Sequence, residues 1–156
     1  MYQPLLGPGS GRRFRADETF YKATGKWEGL DYECTLRLAE RSLSWEWKVD
    51  IQNNSGFGCD LDLIYVQDVG LKSFGQDLVN EYYVSQYIER SILEDPLYGS
   101  VVCCRQNMRE SGGHPWLMIA SINGAVGATT DGMQFYGNTY RETGIPGRAG
   151  IRPARG

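Results

Sequence analysis

The chain has 156 residues, enough for one hydrophobic core and short for two. A net charge of −3 gives no electrostatic case for nucleic acid or an anionic membrane surface. Its 20 glycines, ten tyrosines and four tryptophans point to an antiparallel sheet protein with many turns. The same rings suit a sugar-contacting surface, because aromatic faces pack on the apolar faces of pyranoses. No apolar run reaches the roughly 18 residues of a membrane span. Met1–Arg15 also lacks the apolar segment of a secretory signal, so a cytoplasmic location is expected. Cys34, Cys59, Cys103 and Cys104 form no C-x-x-C pair, and His114 is the lone histidine. Reduced, mostly buried thiols and no metal site are expected.

In chain order, residues 1–15 are rich in Pro, Gly and Arg and read as a loosely ordered arm. From Leu30 the apolar period is two: Tyr32, Cys34, Leu36 and Leu38 alternate with Glu33, Thr35 and Arg37. Trp45, Trp47, Val49 and Ile51 alternate with Glu46, Lys48, Asp50 and Gln52, the cleanest amphipathic strand in the chain. Polar turns are predicted at Glu40–Ser42 and Asn53–Gly56. Leu61–Gln67 is apolar enough for a strand buried on both faces. Val69–Asp77 reads as a loop or short helical turn. In Glu81–Leu93, Tyr82, Val84, Tyr87 and Ile88 would also fit a helix, but Tyr-Tyr-Val and Tyr-Ile favour a strand. Further strands are predicted at Tyr98–Gln106, Trp116–Ile122, Ala125–Thr130 and Met133–Tyr140. Turns fall at Gly112-Gly113, Asn123-Gly124 and Asp131-Gly132, the last two being two-residue hairpin signals. Strands joined this tightly, without amphipathic helices between them, predict an antiparallel β-sandwich over residues 16–146, followed by a disordered tail at 147–156.

Chemistry is sparse. Asp60 and Asp62 alternate with leucines and read as a solvated strand face, and Asp131 belongs to a turn. Asp68 lies where an apolar run breaks into a Gly loop, a place that suits either ligand presentation or turn capping. His114 sits in a Gly-Gly-His-Pro turn, and Ser85 has no nearby histidine or nucleophile-elbow glycines. No catalytic set, cofactor motif or phosphate-cradling Gly loop is found. Composition and spacing alone give a globular antiparallel β domain of unresolved function.

One ordered set of segments goes further: Ala16–Lys22, Trp45-Glu46-Trp47, Ile64–Leu71, Asn80–Ile88, Arg105-Gln106-Asn107, Thr130–Gly137 and Tyr140–Thr143. From about Pro4 to Pro146 this resembles the N-terminal region of the cellobiose-phosphorylase-like enzymes (glycoside hydrolase family 94). The resemblance is strongest to the β-1,2-oligoglucan phosphorylases and the related cyclic β-1,2-glucan synthases. It implies a galactose-mutarotase-like β-supersandwich that borders the substrate cleft, helps to build a dimer and precedes a helical linker and an (α/α)6 barrel. The barrel carries the general acid and phosphate site of reversible, inverting phosphorolysis, and this sequence is expected to stop short of it.

The chain is therefore expected to be the non-catalytic sandwich part of a β-glucan phosphorylase, with a stand-alone carbohydrate-binding module as the alternative. A mutarotase-like epimerase is disfavoured, since it needs a histidine pair and a carboxylate. The expected sugar contacts are Gln67, Asp68, Asn80, Glu81, Gln86, Arg105, Gln106 and Asn107, polar residues within or at the ends of apolar strands. The competing reading is that they bond to one another and to backbone, holding the Val69–Asn80 loop. The expected partners are a β-glucan oligosaccharide and a second copy of the chain, which would pair along the edge of the Met133–Tyr140 strand.

Overall fold

A computed structural model describes residues 3–6, 12–73, 75, 83–109 and 112–137. The chain is all-β, and its described residues form two antiparallel sheets of four and three strands. It divides into two compact units, Met1–Ile64 and Tyr65–Gly156.

The first unit is a meander of β1 (Arg12–Ala16), β2 (Phe20–Trp27), β3 (Leu30–Leu38) and β4 (Trp45–Asn53), paired in that order. Two strands thus precede the alternation that begins at Leu30, and residues 12–15, assigned to the arm on sequence, lie in β1. In β2 the period of two is present as Tyr21, Ala23, Gly25 and Trp27, but small residues and interleaved lysines mute it. Glu28 (φ 48°) and Gly29 (φ 80°) close the β2–β3 hairpin with both central residues left-handed, the type I′ geometry that matches strand twist. A Cβ on Gly29 would lie 2.8 Å from Ser55 Cβ, so the position needs glycine for space as well as for φ.

The predicted turns at Glu40–Ser42 and Asn53–Gly56 are present. Ala39 N–H donates to the Ser44 carbonyl (3.0 Å), and Asn53 Oδ1 accepts from the backbone N–H (2.9 Å) and hydroxyl (2.6 Å) of Ser55. Register puts Ala23, Cys34 and Val49 in one row and Gly25, Tyr32 and Ile51 in the next. Ala23, Tyr32 and Cys34 are the buried centre, against which Leu5, Tyr21, Trp27 and Val49 pack. The opposite face carries ion pairs, Lys22–Glu33 at 2.7 Å and Lys26–Asp31 at 2.9 Å. Solvent screening leaves such exposed pairs worth a few tenths of a kcal/mol.

In the second unit β5 (Ile88–Asp95), β6 (Gly99–Gln106) and β7 (Trp116–Ile119) form a sheet with β6 at its centre. As the central strand, β6 is flanked on both edges, and the adjacent Cys103 and Cys104 are both buried. Four sequence expectations are corrected here. Leu61–Gln67 is not a strand: these residues are irregular, and Leu61, Leu63, Ile64, Tyr65 and Val66 are exposed. An apolar run becomes a strand only beside a ladder partner, which no local pattern supplies. Glu81–Leu93 uses both periods, with helical backbone at 83–86 and strand from Ile88. Ala125–Thr130 is reduced to one parallel bridge between Ala125 and Gly99. Within Met133–Tyr140, a short helix, Gly132–Tyr136, replaces the strand; the rest of that span beyond Gly137 lies outside the described residues. A run this short carries either period, and helical bonds satisfy its backbone locally. The Asn123-Gly124 turn forms, with Gly124 N–H donating to the Ser121 carbonyl (3.1 Å), but it joins no hairpin.

Candidate functional site

Polar residues inside a sheet need partners, so each predicted contact residue can be asked where its hydrogen bonds go. Gln106 ends β6 and is fully buried. Its Nε2 donates to the carbonyls of Gly70 (3.2 Å) and Val84 (3.3 Å), and its Oε1 accepts the Met108 N–H (2.9 Å). Its backbone N–H donates to the Pro115 carbonyl (3.0 Å), and its own carbonyl lies 3.1 Å from His114 Nδ1. Gln106 therefore ties the Gly70 loop, the helical turn at Val84 and the β6–β7 connection to one strand end.

Asn107 is exposed, and its N–H donates to the Tyr87 carbonyl (2.9 Å), bracing the same turn. Gln67 is half-buried and accepts a hydrogen bond from the Tyr65 hydroxyl. Asp68 is exposed, two residues before the Gly70 carbonyl that Gln106 holds. Gln86 is exposed between Tyr83 and Tyr87. Those two rings pack edge-on at 5.0 Å, and the Tyr87 hydroxyl donates to that of Tyr83 (3.0 Å). Donating that proton to Tyr83 pushes the Tyr87 phenol above its ordinary value. Asn80 and Glu81 lie outside the described residues.

Arg105, one residue from Gln106, sits on the other face of β6. Register places Glu89 of β5 opposite it on one side and Trp116 of β7 on the other. The Arg105 guanidinium carbon is 5.4 Å from the Trp116 ring centroid, a cation–π contact. Trp116 is 64% exposed, and Met118 and Leu93 continue the exposed side of the same face. The Nε of Arg105 is shielded from solvent and has no hydrogen-bond partner among the described residues. Among the described residues, Gln106 is thus the buried centre of a brace that Asn107 joins through its backbone, and Arg105 stands in a separate row on the other face of β6. Of the three residues in that row, the sequence points to Arg105 as a contact residue, offers Glu89 only as one of several available carboxylates, and gives Trp116 only as the start of a strand. Trp116 opens a predicted strand, but which residues stand beside it depends on register, which no local pattern supplies.

Among the described residues, no group of three or more His, Cys, Asp or Glu side chains is placed to hold a metal ion. No helix there is long and apolar enough to cross a membrane. None of the four cysteines is in a disulfide; Cys59 is exposed and the other three are buried.

These features define an antiparallel all-β domain in which strand-end polar residues brace a loop on one face of β6 and flank a charged aromatic row on the other. More particularly, it belongs to the SOGP N-terminal domain family, whose model it matches over residues 1–150. It is 34% identical over 112 residues to a 1,2-beta-oligoglucan phosphorylase of Listeria innocua serovar 6a, a match covering 72% of this chain and 10% of that protein. The chain thus corresponds to about a tenth of the length of its curated relative, and it is related to a region of a glycoside phosphorylase. No solved structure matches the chain.

Proposed function

We propose that this chain is the non-catalytic, carbohydrate-binding part of a glycoside phosphorylase acting on β-glucans, folded as a galactose-mutarotase-like β-sandwich of the family 94 type. Phosphorolysis is then the work of an (α/α)6 barrel domain, and this region borders the substrate and the subunit interface. The supporting observation is membership of the SOGP N-terminal domain family across residues 1–150 together with the oligoglucan phosphorylase relative. A cytoplasmic location and a homodimer belong to the same proposal. The dimer does not rest on a strand at Met133–Tyr140, where a helix runs from Gly132 to Tyr136. It rests on β5, an edge strand of the three-stranded sheet whose residues are largely exposed and whose open backbone can template pairing.

The test is direct. The purified chain is titrated calorimetrically with β-1,2-gluco-oligosaccharides, then incubated with the same sugars and phosphate and assayed for glucose 1-phosphate. Saturable binding without phosphorolysis is expected. Turnover that copurifies with the chain, or no binding at any attainable sugar concentration, overturns the reading.

A further inference from the structure

We infer that the cross-strand row Glu89–Arg105–Trp116 is a binding subsite for neutral glucosyl residues of a β-glucan chain. The inference rests on the carbohydrate-binding reading above and assigns that binding to one place. Two features carry it. Trp116 stands on an edge strand with most of its surface in water, so a pyranose can stack on the ring without any rearrangement of the fold. Arg105 lies against that ring, which holds a planar set of donors beside the stacking surface.

Glu89, opposite Arg105 in register, adds an acceptor on the far side. Neighbouring hydroxyls of a sugar each donate and accept, so a guanidinium and a carboxylate side by side complement them. The two opposite charges also cancel, and the row therefore suits an uncharged sugar over a sugar phosphate. Its three strands span two interstrand spacings, roughly 10 Å, which gives a short run of sugar rings a footprint along the row.

The experiment is a proton–nitrogen NMR titration of the full chain with β-1,2-gluco-oligosaccharides, following the tryptophan indole resonances. Wild type, Trp116→Ala, Arg105→Lys and, as a control in the first unit, Trp45→Phe are compared. The Trp116 indole resonance should move saturably in wild type. Affinity should fall at least tenfold in Trp116→Ala and several-fold in Arg105→Lys, and stay unchanged in Trp45→Phe. If Trp116→Ala fails to fold, the movement of the wild-type Trp116 resonance decides alone. Equal binding by wild type and Trp116→Ala overturns the subsite while leaving the carbohydrate-binding reading intact. Absence of binding by wild type overturns both. A still Trp116 resonance, with Trp116→Ala converting a dimer to monomer, makes the row a protein contact and also overturns the subsite.

Discussion

The side-chain amide of Gln106 donates to the backbone carbonyl of Gly70, 36 positions earlier in the chain. The next residue, Leu71, is left-handed at φ 55°, a conformation costing a side-chain-bearing residue about 1–2 kcal/mol. Holding the peptide just before Leu71 is one way to keep it there. With Val84 and Met108, Gln106 makes three side-chain bonds, each worth about 1 kcal/mol net. Gln106→Ala should therefore lower unfolding free energy by about 3 kcal/mol. Gln106→Glu preserves volume but turns the two-carbonyl donor into an oxygen, and should fall at least as far. Urea midpoints measure both, and a Gln106→Glu midpoint equal to wild type would show that packing, not hydrogen bonding, is the role.

How much of this was legible depended on whether the determinant is local. The alternation Trp45 to Gln52 specifies β4, and Val49 lies beside Cys34 as that pattern requires, while Trp45 and Ile51 on the same face stay exposed. Glu28-Gly29 carries the β2–β3 turn in its own φ preferences, but the glutamate hides a signal that Asn or Asp would have announced. Leu61–Gln67 has strand composition and no ladder, since pairing is decided by distant segments. The site behaves likewise. A polar Gln at a strand end looks the same in sequence whether it reaches solvent or, like Gln106, is sealed under a loop. Arg105 and Gln106 are adjacent in sequence, and strand geometry alone sends them to opposite faces with different tasks.

Asp17 should make the β1–β2 turn pH-dependent. Its Oδ1 accepts the backbone N–H groups of Thr19 (2.8 Å) and Phe20 (3.0 Å) and the Thr19 hydroxyl (3.0 Å). The Thr19 N–H, first among these, holds the carboxyl below its ordinary value of 3.8. A pKa lowered by folding means stabilisation that is complete above the unfolded value and disappears as pH falls through the folded one. The Thr19 and Phe20 amide resonances should therefore titrate together with a midpoint under 3.8, and Asp17→Ala should abolish that titration. A midpoint at or above that value would mean the turn does not hold the carboxylate.

Thiol reactivity should separate the cysteines by burial. Thiolates are the reactive species, and burial pushes the Cys104 thiol up, only partly opposed by Arg90. Cys59 is exposed, and Cys34 and Cys103 are buried. Brief alkylation of native protein at neutral pH should label Cys59 alone by peptide mass spectrometry, with the other three reacting only in denaturant. Native labelling of Cys104 as fast as Cys59 would show that the central strand opens readily.

Tyr32 and Gly25 offer a sharper test of the first sheet. They face each other across β2 and β3, and the Tyr32 ring lies so squarely over Gly25 that a Cβ there would sit 2.3 Å from the hydroxyl oxygen and 2.4 Å from Cζ. Tyr32 is buried, and its hydroxyl has no hydrogen-bond partner among the described residues. A buried hydroxyl without a partner opposes folding, so removing it should be neutral or favourable, whereas adding a methyl at Gly25 must displace a core ring. Tyr32→Phe is thus expected to leave stability unchanged or raise it by about 1 kcal/mol. Gly25→Ala is expected to cost about 2 kcal/mol. Because Cζ remains in phenylalanine, Tyr32→Phe should not rescue Gly25→Ala, and the two effects should nearly add. Thermal and urea unfolding of the two single variants and the double variant complete the cycle. A Tyr32→Phe protein less stable than wild type by about 1 kcal/mol or more would mean that the hydroxyl is bonded after all, and the account of this core would be wrong.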